Sequence, residues 1–231
     1  MGLTPPANQS DLPTAVAVVG DVHGHLLLAL CMAARWQRRL GVRFEAVLLC
    51  GDVGSFTEDA QLDNATRSHA RDNPCELEFL RQWAVYPPPP WIAAVFEPEP
   101  AGLGLCCPVV MVHGNHDGFA HLRTLYSAKR RPAEPVPVDQ LRGADAQEFV
   151  RYLPSGWRTV LPSGLVVGGV GGIQPGQRAR VGYDPMAYIE DRAVEALLDA
   201  PPVDVLITHQ GPAGVQGDHG SELLDLLLEA G

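Results

Sequence analysis

Short apolar runs recur along the chain, each closed by a glycine or a polar turn. Ala15-Val16-Ala17-Val18-Val19 ends at Gly20, and Phe44 to Cys50 ends at Gly51. Runs this short, bounded by turns, predict buried strands. Between them, Leu26 to Leu40 is rich in Leu, Ala and Met and carries Arg35, Arg38 and Arg39 near its end. That pattern predicts a helix with cations at the negative end of its dipole, stopped by Gly41. Strand, helix, strand is how an α/β fold opens. Val109 to Val112 predicts a third strand, Trp157 to Leu161 and Leu165 to Gly169 a hairpin around Pro162-Ser163-Gly164, and Val203 to Thr208 a further strand. Glu76 to Tyr86, Asp191 to Leu198 and Ser221 to Ala230 read as helices, the last with Ser221 as N-cap and Glu222 in its first turn. The proline run Pro87 to Pro90 reads as extended chain, and 127–145 as a polar surface loop. Residues 1–14 read as a flexible arm and 15–231 as one domain, with no repeat and no dividing linker.

Composition places this among ordinary globular chains: of 231 residues, 46% are hydrophobic and 19% charged, which excludes disorder over the whole length. No apolar run approaches the roughly 20 residues that span a bilayer. The first residues show no basic region followed by an apolar core, so a cytoplasmic location and no membrane partner are expected. The formal charge of -10 argues against a broad nucleic-acid-binding face, unless a local basic patch or metals reverse it. The one dense basic run, Lys129-Arg130-Arg131, reads as solvated surface. Five cysteines, at 31, 50, 75, 106 and 107, form no C-x-x-C, so buried reduced thiols are expected rather than disulfides or a zinc-thiolate site.

The chemistry lies where strands end. Gly20-Asp21-Val22-His23-Gly24, Gly51-Asp52-Val53-Gly54, Gly114-Asn115-His116-Asp117 and Thr208-His209 each follow a predicted strand. In α/β sheets ligands bind beyond the carboxyl ends of strands, so these four clusters point to one shared site. Carboxylate, amide and imidazole donors without thiolate suit a divalent ion such as Mn, Fe or Zn. Asp21 and His23, two apart on a turn, can share one ion. A dinucleotide site is rejected, because G-x-G-x-x-G is missing and Asp21 stands where a pyrophosphate would lie.

These ordered blocks, from about residue 15 onward, resemble the calcineurin-like metallophosphoesterases. The resemblance implies an α/β fold, a four-layer sandwich of two mixed β-sheets flanked by helices. It implies hydrolysis of a phosphomonoester or phosphodiester by water activated at two divalent metal ions. Asp21 and His23 would hold the first ion, Asp52 would bridge both, and Asn115 and His209 would hold the second. His116 would sit over the phosphate and protonate the leaving oxygen, with Asp117 orienting its ring. The physics is coherent, because two closely spaced cations lower the pKa of a bound water and supply the positive charge that an acidic chain lacks.

Other residues keep two readings. Arg178 and Arg180 would bind substrate phosphate or belong to a solvated loop. His25 reads as a helix-start group, His113 as packed, and His69 and His121 as surface. Trp83, Tyr86 and Trp91 would form a base-stacking wall or, the safer reading, pack in the core. The family's closing Gly-His-x-His block is missing, which implies a chain lacking the C-terminal strand or a natural variant with a weakened site; His219 is not assigned as the replacement ligand. The alternative enzyme is a Ser/Thr protein phosphatase, against which the second block lacks that branch's Gly-Asp-x-x-Asp-Arg-Gly continuation. The layout resembles the RNA lariat-debranching phosphodiesterases and their bacterial relatives, implying a phosphate-ester substrate such as a nucleotide or RNA. The rival from another class is a non-catalytic phosphate- or nucleotide-binding regulatory module on the same fold.

Overall fold

A computed structural model describes residues 12–126, 131–175, 184–216 and 220–230. The expected opening forms as β1 (Thr14–Val19), α1 (Leu26–Leu40) and β2 (Arg43–Leu49). Then come α2 (Asn64–Asp72), α3 (Pro90–Phe96), β3 (Val109–Met111), α4 (Phe119–Leu125), β4 (Val136–Pro137), β5 (Val150–Tyr152), β6 (Arg158–Val160) and β7 (Val166–Val170). The described chain closes with α5 (Asp191–Leu198), β8 (Val205–Thr208), α6 (Ala213–Gln216) and α7 (Glu222–Ala230). The strands form two four-stranded sheets, ordered β1-β2-β3-β5 and β4-β6-β7-β8. The first is parallel throughout; only the second is mixed, with β6 antiparallel to β7.

Period-two alternation explains the layers. On β2, Ala46 and Leu48 face the second sheet and meet Val110, Val167 and Ile207. Their neighbours Val47 and Leu49 face the other way, onto Leu26, Leu30 and Ala34 of α1. The far side of the second sheet is covered by Val194 and Leu197 of α5 and Leu224 of α7. Helices, sheet, sheet, helices are the four layers. The buried carboxylate of Glu45 on β2 accepts hydrogen bonds from the Ser163 amide (2.9 Å) and hydroxyl (2.7 Å), fastening the hairpin turn to the first sheet.

Several expectations need correction. Pro90 is not extended: it is the first residue of α3, where its missing N–H costs nothing. The segment from residue 76 to 86 is not one helix but a 3-10 turn at Pro74–Leu77 followed by a wide π-type turn at Phe79–Trp83. The region 127–145 is not all surface loop, because β4 lies in it and Val138, Leu141 and Ala144 are buried. Of the aromatic trio, Trp83 is fully buried and stands edge-on to Trp91, while Tyr86 is 87% exposed. Among the cysteines only Cys107 is buried; Cys75 and Cys106 are exposed. Among the described residues the buried Ser221 hydroxyl has no hydrogen-bond partner, and it does not cap α7. Among the described residues no helix is long and apolar enough to cross a membrane.

Candidate metal centre and active site

The carboxyl ends of β1, β2, β3 and β8 open onto one side of the sandwich, and the predicted donor turns meet there. Asp52 is 3% exposed and sits with φ at 47°, a left-handed backbone that a non-glycine residue adopts at a cost. The His23 amide donates to the Asp52 carbonyl (2.9 Å), tying the first two turns together. The third turn is tied to Asp52 by its side chain: Oδ1 accepts from the His116 amide at 2.7 Å. That approach requires Gly114, since a Cβ there would overlap the Asp52 carboxylate and come within 2.4 Å of the Asp52 amide.

With Oδ1 taken, Asp52 Oδ2 lies between two imidazoles, 3.6 Å from His23 Nε2 and 3.5 Å from His209 Nε2. His209 is enclosed by oxygens: Cys50 carbonyl (3.0 Å) and Asp21 Oδ1 (3.3 Å) near Nδ1, and Asn115 Oδ1 (3.0 Å) near Nε2. A neutral imidazole has one N–H to give, yet acceptors crowd both ring nitrogens. Gathered acceptors around shared imidazoles suit cations, so Asp21, His23, Asp52, Asn115 and His209 fit the divalent ions that their chemistry suggests. The side chains stand against one another rather than parted around ions; among the described residues no three His, Cys, Asp or Glu form a ready-made cage.

His116 stands beside this cluster, its ring centroid 6.2 Å from that of His23. The carboxylate that holds its ring is Asp63, which sequence reasoning missed. His116 Nδ1 and Asp63 Oδ2 are 2.9 Å apart. The hydrogen bond to Asp63 raises the His116 pKa, against burial and with help from the charge of Asp52. Burial alone would push Asp63 up, but bonds from His116 and the Thr66 amide outweigh it and hold the carboxyl at about 2. Asp63 is also the N-cap of α2, accepting from the Thr66 amide at 2.8 Å.

Asp117 does not take the orienting position expected of it. It is buried and accepts from the Ser55 amide and hydroxyl (both 2.9 Å) and the Gly114 amide (2.7 Å), bracing the second and third turns. Burial, and then the charge of Asp52, push its pKa up. Arg178, Arg180 and His219 lie outside the described residues. His113 is packed as expected, its Nδ1 2.8 Å from the Tyr152 hydroxyl, and burial lowers its pKa to about 4. His25 is the N-cap residue of α1 and meets Asn73 at 3.1 Å; His69 is exposed. His121 is not a free surface group, for its Nε2 is 2.8 Å from the Ala144 carbonyl. A groove of about 830 Å³ runs past Asn115, lined also by Leu62, Asp63, Asn64, Phe119 and Asp184.

Donor turns at the ends of parallel strands, gathered across a two-sheet sandwich, define the class: an α/β protein with oxygen- and nitrogen-bearing side chains gathered at one mouth. The family model for calcineurin-like phosphoesterases matches residues 14–231, and the chain belongs to that family. No curated protein matches it closely.

Proposed function

We propose that the chain hydrolyses a phosphate ester with two divalent metal ions, Mn, Fe or Zn. Family membership supports phosphoester chemistry in general. The observation that carries the two-ion reading is Asp52 Oδ2, set nearly midway between His23 and His209, which the family resemblance assigns to different ions. Asp21 and His23 would hold one ion, Asn115 and His209 the other, and Asp52 would serve both. When bound, such a pair supplies an activated water and neutralises the phosphoryl oxygens for in-line attack.

The protein's own residues do the rest. His116 carries a proton to the leaving-group oxygen, and Asp63 keeps that proton on the ring by making the imidazolium more stable. Asp117 fixes the turn that carries Asn115 and His116. The groove beside Asn115 is the place for the remainder of the substrate. The order and spacing of the blocks favour a phosphodiester, such as a nucleotide or RNA linkage of the lariat-debranching kind, met in the cytoplasm.

Turnover of bis(p-nitrophenyl) phosphate with added Mn(II) tests the reading, with p-nitrophenyl phosphate as the monoester comparison. His116→Ala is expected to keep its metals while kcat falls about 100-fold, the usual scale for a lost general acid. Tight nucleotide binding by metal-loaded protein that turns over neither ester would replace the hydrolase with the regulatory module.

A further inference from the structure

A second cavity, of about 360 Å³, is lined by residues that follow β3 and β5 and by none of the five metal donors. Its buried end is His113 and Tyr152, whose Nδ1 and hydroxyl are 2.8 Å apart. Tyr126 and Trp157 supply an aromatic wall, with ring centroids 4.7 Å apart. The Tyr126 hydroxyl is already engaged: it accepts from the Arg142 amide at 2.6 Å and donates to the Tyr152 carbonyl at 3.2 Å. That fixes the ring and leaves its surface to the cavity. Among the described residues that line it, the acids and bases that stay charged at neutral pH are Arg123, Arg131, Arg192 and Glu190. Arg192 takes both Glu190 oxygens, at 2.7 and 3.1 Å. Arg131, expected at the solvated surface, has its side chain only 27% exposed, and reaches the same carboxylate at 3.6 Å, too far for a hydrogen bond. Two guanidinium groups share one carboxylate, so one positive charge is left over in a part-buried place. Burial lowers the Arg131 pKa; the charge of Glu190 opposes that and the charge of Arg192 adds to it. Arg123 is balanced by Asp184, which lines the groove past Asn115, so an ion pair stands between cavity and groove.

The geometry points to a binding site for a compact organic anion, a flat ring bearing a phosphate or carboxylate group, separate from the metal centre. The volume lies at the small end of the range for ligand sites, which admits one such molecule rather than a polymer. The anionic group lies on Arg131 and Arg192, whose planar forks match phosphate or carboxylate oxygens two at a time. It supplies the negative charge that Glu190, already held by Arg192, does not give Arg131. The ring lies against Tyr126 and Trp157, where contact between aromatic faces and edges adds affinity without demanding one particular ring. His113 and Tyr152 spend their facing polar atoms on each other, so they close the buried end without competing for the anion.

Nothing here requires the metals, so the full chain is tested after they have been stripped by chelation and dialysis. AMP offers a ring with a phosphate and indole-3-acetate a ring with a carboxylate; adenosine and inorganic phosphate each lack one part. Calorimetric titration is expected to give a Kd below about 1 mM for AMP, for indole-3-acetate or for both, with no saturation by adenosine or phosphate alone. Which of the two binds tells which anion the site takes. Arg131→Met is expected to weaken that binding about 10-fold or more, the scale of a lost charged hydrogen bond. Glu190→Gln is expected to tighten it about threefold or more, because the carboxylate that competes with the ligand for both guanidinium groups is gone. Melting curves check that the variants fold; if Arg131→Met does not, Arg192→Met carries the expected loss. Failure of both ring anions to bind the wild-type chain overturns the site. So does binding that the folded variants leave unchanged, or binding of inorganic phosphate as tight as that of AMP.

Discussion

Asp63→Asn separates the two jobs of one side chain. As N-cap of α2, Asp63 accepts from the Thr66 amide through Oδ1; as partner of His116, it offers Oδ2 at 2.9 Å. Asn caps a helix about as well as Asp, so the fold is expected to survive. With its carbonyl kept on Thr66, however, the Asn amide turns its NH₂ toward His116 Nδ1. A charged acceptor becomes a neutral donor, and the ring is pushed to the tautomer with Nδ1 bare. Hydrogen bonds to charged groups contribute about 1.5–3 kcal/mol, so kcat is expected to fall about 10- to 100-fold with metal content unchanged. The stability effect has a definite sign. Asp63 is held at about 2 against an ordinary 3.8, so it stabilises the fold above about pH 4 and that contribution is lost as pH falls through about 2. At face value this is about 2.5 kcal/mol. Solvent around a half-exposed group cuts it to about 1 kcal/mol. The assay pairs kcat on bis(p-nitrophenyl) phosphate with denaturant melts at pH 2 and pH 5, wild type against variant. A kcat within twofold of wild type, or loss of the metals, would refute the reasoning.

Two other substitutions probe the same turn. Asp117→Ala removes the acceptor of three buried hydrogen bonds and should cost about 2–4 kcal/mol in denaturant unfolding, whereas Asp117→Asn should recover part of it. A purely catalytic effect with unchanged unfolding would return Asp117 to the role expected from the sequence. Gly114→Ala sets a methyl against the Asp52 carboxylate, so metal affinity measured by Mn(II) titration should fall at least 10-fold while the far hairpin and α5 remain intact by amide exchange.

The β-α-β opening and the donor turns were legible because each strand is an uninterrupted apolar run and each turn carries chemistry that loops seldom combine. Asp63 was not legible. It lies in the stretch after Asp52 where no hydrophobic period emerges before Glu76. The helix that Asp63 caps buries only Thr66, so it leaves no apolar stripe in Asn64–Asp72. Its one signal was Asp63 with Thr66 three residues on, a capping pattern too common to single out. β5 escaped notice because Val150–Tyr152 is three residues long and buried by neighbours far along the chain. Asp117 was misjudged for a related reason. Adjacency to His116 suggests a pair, but the turn sends its carboxylate back toward Ser55 and Gly114.

The central claim is that one carboxylate serves two ions, and counting bound metal tests it most directly. Metal analysis of the wild-type chain dialysed from excess Mn(II) is expected to give two ions per chain, and Asp52→Asn to lose both together. Two ions retained by folded Asp52→Asn, or one retained at full affinity, would contradict the account.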